Sequence, residues 1–220
     1  MTGHSEVTGR SEVSGRFIAV EGADGTGKST QARLLADRLG ALFTREPGGT
    51  ELGERIRDLV LDPAGQAPVD RAEALLMAAA RAQHVDQVVV PALAAGRDVV
   101  SDRYVASSIA YQGMGRGLGA GPVAEVNRFA TGGLAPEVVV LIEVDAPVAG
   151  GRLGDDRGGE LDRIEGAGDD LQAVVASAYR DLAAADPDRW VVVDGNGTIE
   201  EVASRVADAV DQRLAAGRDA

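Results

Sequence analysis

Residues Gly22, Ala23, Asp24, Gly25, Thr26, Gly27, Lys28 and Ser29 follow the spacing G-x-x-x-x-G-K-[ST], and Thr30 comes directly after them. The chemistry this pattern suits is anion binding. Glycines let successive backbone N–H groups turn inward around charged oxygens, and a helix opening at Ser29 adds unpaired N–H groups and the positive end of its dipole. Lys28 would then reach the β- and γ-phosphates of a bound nucleotide, and Ser29 would ligate Mg2+. Among 22 lysines and arginines, Lys28 is the only lysine. Compositional drift accounts for the arginine bias, but not for where the one surviving ammonium sits.

Such a loop is shared by GTPases, ATPases and kinases, so it leaves the reaction open. Other side chains narrow it. Arg45 and Arg103 each follow a short apolar run closely and should project at the binding edge of a sheet, while Arg81 lies in a helical stretch. Bringing two phosphorylated substrates together requires cations between them, and arginine's planar fork pairs bidentately with phosphate oxygens. Asp102 ends a strand-like run, where it could hold Mg2+ directly or through water, or orient Arg103. Asp24 could contact a substrate or only shape the loop. Of the two histidines, His4 lies near the terminus and His84 reads as a packing or hydrogen-bonding residue on a helix. A phosphate monoester acceptor needs no histidine base, because its second pKa near 6 leaves it substantially ionised at neutral pH. Catalysis is then mainly positioning and charge stabilisation.

These residues can meet only if the elements carrying them share an edge. From Phe17 onward, apolar runs alternate with helical periods. Strands are predicted at Phe17–Glu21, Ala41–Thr44, Asp98–Asp102, Val138–Val144 and Trp190–Val193, with Val138–Val144, the most uninterrupted apolar run, the candidate for a central parallel strand. Helices are predicted over 29–39 with a stop at Gly40, along a face of Leu52, Ile56, Leu59 and Val60 before Pro63, and over 105–111, 123–130 and 161–185. A long helix over 70–94 is predicted to be capped by Asp70 and Glu73 and kinked or ended by Pro91. Gly113–Gly121 reads as a loop. A capping box of Thr198 and Glu201 opens a final helix with the apolar face Ile199, Val202, Val206, Val210 and Leu214. The whole predicts an α/β fold, a five-stranded parallel sheet with helices on both faces, binding ligands at the carboxyl ends of its strands. A single domain spans 17–216, after a flexible polar tail over 1–16.

A net charge of −13 argues against nucleic-acid or anionic-membrane partners, which require a basic field. No apolar run is long enough to span a membrane and the start lacks a signal-peptide layout, so cytoplasmic is the default. With no cysteine, disulfides, zinc thiolates and thiol nucleophiles are excluded.

After Arg16 the chain resembles the thymidylate kinase family over nearly its whole length. The resemblance rests on FIAVEGADGTGKSTQ (17–31), TREPGGT (44–50), Arg81-Ala82-Gln83-His84, DRYVASSIAYQG (102–113) and LDRIE (161–165). It implies a P-loop NTPase fold, a homodimer, and transfer of the ATP γ-phosphoryl group to dTMP with Mg2+, giving ADP and dTDP for dTTP synthesis. By the same resemblance Arg45, Arg81 and Arg103 surround the acceptor phosphate, and Asp24 lies near the sugar 3′-hydroxyl. Tyr111 bears on exclusion of a 2′-hydroxyl, and Ser108 and Gln112 read the thymine edge. The chain departs from the family where an aromatic usually stacks on the base four residues before Arg81; here stands Met77, whose thioether can still pack on a ring. Gly150–Glu160, too glycine-rich and charged for a stable element, fits a mobile lid. Members carry a catalytic arginine in the loop or in the lid. Asp24-Gly25-Thr26-Gly27 contains none, so the resemblance points to the bacterial lid type, with Arg157 nearest the transferred phosphate and Arg152 near adenine. The alternatives are another nucleoside monophosphate kinase, a degenerate binding protein, and a P-loop hydrolase.

Overall fold

The computed structural model describes residues 15–156 and 161–216. Its elements in chain order begin with β1 (Phe17–Glu21), α1 (Lys28–Leu39), β2 (Leu42–Arg45), α2 (Glu51–Leu61) and α3 (Asp70–His84). A π-helical segment (Val85–Val89), α4 (Val90–Ala94), β3 (Val99–Asp102), α5 (Val105–Ser108), a second π-helical segment (Ile109–Gly115) and α6 (Ala120–Ala130) follow. The chain then forms β4 (Val138–Glu143), α7 (Ala146–Asp156), α8 (Asp169–Ala185), β5 (Trp190–Asp194) and α9 (Ile199–Ala216).

The strands form one parallel sheet in the order β2-β3-β1-β4-β5, as the alternating pattern predicts. The middle strand is β1, and β4 lies beside it. Apart from the glutamate that ends each, Glu21 and Glu143, both are apolar because both faces of the sheet are covered. Val138, Val140 and Ile142 of β4 join Ile18 and Val20 of β1 against Ala32, Leu35 and Ala36 of α1 and Val202, Val206 and Val210 of α9. On the other face Val139 and Leu141 meet Val175, Ala178 and Tyr179 of α8, while Phe17 and Ala19 pack with Tyr104, Val89 and Leu93. The order reverses at β1, so a crevice opens at its carboxyl end, where β1 runs into the glycine loop. Among the described residues no helix is long and apolar enough to cross a membrane.

Several local expectations need correction. On α2 the buried side chains are Ile56 and Val60, whereas Leu52 and Leu59 face solvent. The helix at 70–84 has Val69 at its N-cap position with no side-chain cap; Glu73 is buried among donors instead. Helicity continues through Pro91, after a wider π turn that takes up the lost i−4 hydrogen bond. The segment read as a loop from Gly113 begins inside the second π-helical segment. The helix expected from Leu161 starts at Asp169, since Arg163 N is drawn to Leu61 O at 3.1 Å. The region read as a lid without stable structure is helical to Asp156. The Thr198–Glu201 capping box is present, with reciprocal bonds of 2.9 and 3.2 Å.

Candidate active site

The turn after β1 depends on glycine. Gly22 has φ 154°, and a Cβ there would lie 2.7 Å from Ile142 O. Gly27, left-handed at φ 80°, is the N-cap of α1 and supplies no side-chain cap. The first N–H groups of α1 therefore stay available to an anion, with the helix dipole behind them. Thr26 Oγ1 donates to Ala23 O at 3.0 Å and closes the turn from inside. Lys28 Nζ donates to Ala23 O (3.2 Å) and Asp24 Oδ1 (3.3 Å). Burial and the neighbouring Arg103 push the Lys28 ammonium down from its ordinary pKa, and Asp24 opposes them.

Asp24 is the hub of this end of the cleft. Its Oδ1 accepts from Lys28 and from Arg103 Nη2, while Oδ2 accepts from Tyr111 OH at 2.8 Å and Gln172 Nε2 at 3.1 Å. Burial alone would raise its pKa, but Arg103, Lys28 and these hydrogen bonds outweigh it and hold the carboxyl well below the usual range. Arg103 projects across the sheet edge from a left-handed backbone, φ 72°, which costs a non-glycine residue roughly 1 kcal/mol or more. What holds it there is Arg103 N donating to Val20 O at 2.9 Å, together with Nη1 donating to Gly22 O, Ser107 Oγ and Tyr179 OH at 3.1–3.2 Å. Behind these hydroxyls stands Glu21, fully buried, whose Oε2 accepts from Ser107 Oγ (2.6 Å) and Tyr179 OH (3.0 Å).

The second end of the cleft is organised by Arg81, which is 4% exposed. It donates through Nε to Glu46 Oε2 (2.6 Å), through Nη1 to Ser108 Oγ (2.9 Å) and to Asn127 Oδ1, and through Nη2 to Tyr104 O (3.0 Å). Of its five N–H donors, one on Nη2 has no hydrogen-bond partner among the described residues. His84 is clamped between Thr44 Oγ1 (2.6 Å) and Glu46 Oε1 (2.7 Å), in accordance with a hydrogen-bonding rather than a catalytic role. Arg45 reaches Glu54 Oε2 at 2.8 Å and is partly exposed.

These two ends share a cleft of about 460 Å3, within the range of small-molecule sites. Its walls bring together Lys28, Ser29, Arg45, Arg81, Asp102 and Arg103, as the motifs predict, and also Met77, Ser108, Tyr111 and Gln112. Met77 and Tyr111 are buried flank residues there. Asp102 Oδ1 is buried and has no hydrogen-bond partner among the described residues. A carboxylate oxygen in that condition is costly unless a cation meets it, and with the Ser29 hydroxyl in the same cleft the pair fits Mg2+. Arg152 bridges the loop and the β5–α9 turn, donating to Thr26 O (3.3 Å), Gly195 O (3.2 Å) and Gly197 O (3.4 Å). Arg157 lies outside the described residues.

Sequence reasoning did not find Arg57, which lines the cleft and donates to Pro47 O at 3.1 Å. Burial and the nearby Arg45 lower its pKa. Nothing in its helical context distinguishes it from a solvated arginine. Glu21, Glu46, Glu73, Gln172 and Tyr179 were also missed as members of the site's framework. Only Glu21, a charge ending an apolar run, carries a local signal.

Comparison with known proteins bears on the same residues. The family model described as thymidylate kinase matches residues 20–206. A thymidylate kinase of Cutibacterium acnes is 47% identical over 206 residues, covering 91% of this chain and 96% of that one. One of Leifsonia xyli subsp. xyli is 48% identical with the same coverage. The crystal structure of thymidylate kinase from Ehrlichia chaffeensis superposes with a TM-score of 0.73 at 28% identity, over 89% of this chain and 98% of that one.

Proposed function

The chain belongs to the thymidylate kinase family, and from that premise we propose how its cleft performs ATP-dependent phosphorylation of dTMP to dTDP. It has the P-loop NTPase fold of that family. The observation that carries the reading is the meeting, in one cleft, of a phosphate loop with Arg45, Arg81 and Arg103, cations placed for a second phosphorylated substrate.

In this reading the backbone N–H groups from Gly22 to Thr30 and the Lys28 ammonium take the ATP phosphates. Arg103, Arg45 and the remaining Arg81 donor take the dTMP phosphate. Asp24, which bridges Lys28 and Arg103, keeps both cations aimed at the gap between the substrates and stands near the sugar 3′-hydroxyl, while Tyr111 closes the side facing a 2′-position. Met77 and Ser108 border the base, with Gln112. Ser29 and Asp102 would hold Mg2+, which supplies charge neutralisation on phosphate oxygens. The acceptor oxygen is already ionised near neutral pH, so the attack proceeds in line without a general base and depends on alignment. Arg157 is the lid arginine assigned to the transferred phosphate, because the loop has none. Arg152, bonded to the loop carbonyl of Thr26, borders the adenine side. The substrates point to the cytoplasm, and the family's homodimer is supported by Leu75, Val90 and Phe129, apolar side chains exposed on α3, α4 and α6.

The test is ADP release with dTMP, dUMP, dCMP, dGMP or UMP as acceptor, beside Lys28→Ala. The expected result is strong preference for dTMP and a loss of kcat of about 100- to 1,000-fold in the variant. Equal nucleotide hydrolysis with and without an acceptor would sink the kinase reading.

A further inference from the structure

Glu73 has no part in the chemistry above, yet it is a buried carboxyl, 1% exposed, at the base end of the cleft. Everything it touches donates to it. Oε1 accepts from Gln112 Nε2 at 2.9 Å and Arg116 Nε at 3.5 Å. Oε2 accepts from Arg163 Nη2 at 2.5 Å and Arg116 Nη2 at 3.5 Å. Burial by itself would raise its pKa, but the hydrogen bonds from Gln112 and Arg163 and the charges of Arg116 and Arg163 lower it, so the group is a carboxylate at neutral pH.

An ionised carboxylate accepts hydrogen bonds and cannot donate them. Gln112 therefore has one way to meet Glu73, with its amide nitrogen turned toward the carboxylate. The amide oxygen is left for the cleft, which Gln112 lines, and among the described residues no donor meets it. We propose that Glu73 is a positioning residue for base selection, locking the Gln112 amide so that the cleft presents a carbonyl acceptor to the nucleobase edge. A pyrimidine with an N–H at ring position 3, thymine or uracil, donates to that oxygen. Cytosine carries a lone pair at the same place and opposes it. Reversing the amide would exchange these preferences, and the carboxylate is what forbids the reversal. Arg163, which also donates from Nε to Val60 O at 2.7 Å, holds Glu73 rigid from the other side.

This inference rests on the reading that Gln112 faces the base, and the experiment separates the two. The measured quantity is kcat/KM for dTMP divided by kcat/KM for dCMP, with ATP saturating, in the full chain. Gln112→Leu should collapse the ratio; an unchanged ratio removes Gln112 from base reading and the role of Glu73 with it. If Gln112→Leu does collapse it, Glu73→Gln should lower the ratio by at least about tenfold, mainly through KM for dTMP, because a neutral amide can donate as well as accept. Equal losses on both nucleotides would mean that Glu73 only braces Arg116 and Arg163, and would overturn the proposal while leaving Gln112 in place. Should Glu73→Gln not fold, Glu73→Asp carries the test with the same readout, its shorter arm losing hold of Gln112. In the Gln112→Leu background, Glu73→Gln is expected to change the ratio no further; an additional collapse would contradict action through Gln112.

Discussion

Asp24 satisfies two cations and two neutral donors at once, and its chemistry sets a pH dependence. Its folded pKa lies below the unfolded value, so ionised Asp24 stabilises the fold at neutral pH. That contribution is lost as pH falls from about 4, the unfolded carboxyl's value, toward the lower folded one. Asp24→Asn is expected to cost about 3 kcal/mol at pH 7. Urea unfolding of parent and variant should show the gap narrowing below about pH 4, and a gap independent of pH would contradict the assignment. Arg157→Ala should lower kcat by about 100-fold with little change in KM for dTMP; a change within a few-fold would return the search to other cations. That the loop and the arginines meet in one cleft was legible from their motifs. The carboxylates that orient them were not. Glu73 imitates a helix cap in sequence, and only its three distant donors reveal it as a buried anion.

At the scale of elements, the strands were readable since a parallel sheet covered on both faces demands continuous apolar runs. The π-helical segments were not, because an inserted residue alters the period only locally. The second of them carries Tyr111 and Gln112 toward the cleft, so the site depends on a distortion that periodicity conceals. The turn in TREPGGT illustrates the opposite case. Gly49 has φ 75°, and a Cβ there would lie 2.7 Å from His84 Cδ2 and 2.9 Å from Thr44 Oγ1. Gly49→Ala is expected to cost about 2 kcal/mol or more, lowering Tm by about 4–8 °C in a thermal scan. It should also raise KM for dTMP, since the same turn leads to Arg45 and Glu46. A variant with the parent's Tm would show that the turn relaxes freely.

For the whole molecule, the sheet order places the loop from β1 between Arg103 beyond β3 and the α8 residues Gln172 and Tyr179. No linear motif contains that arrangement. The same assembly leaves Phe129 90% exposed beside Val85 and Val90. If two copies pair over this surface, as the homodimer proposal holds, Phe129→Asp should shift sedimentation toward the monomer. A parent that sediments as a monomer at assay concentration, or a variant that still dimerises, would remove that surface from the interface.

The amino-acid sequence by itself determined the phosphate-loop pattern, the alternation of strand and helix, and the arginines that meet in the cleft. Each of these is written in short local motifs. Tertiary structure decided which side chains hold those cations still. Asp24 with Arg103, Glu46 with Arg81 and Glu73 with Gln112 are pairs separated by 79, 35 and 39 positions. A buried charge is stable only where its partners converge on it, and convergence belongs to the folded chain.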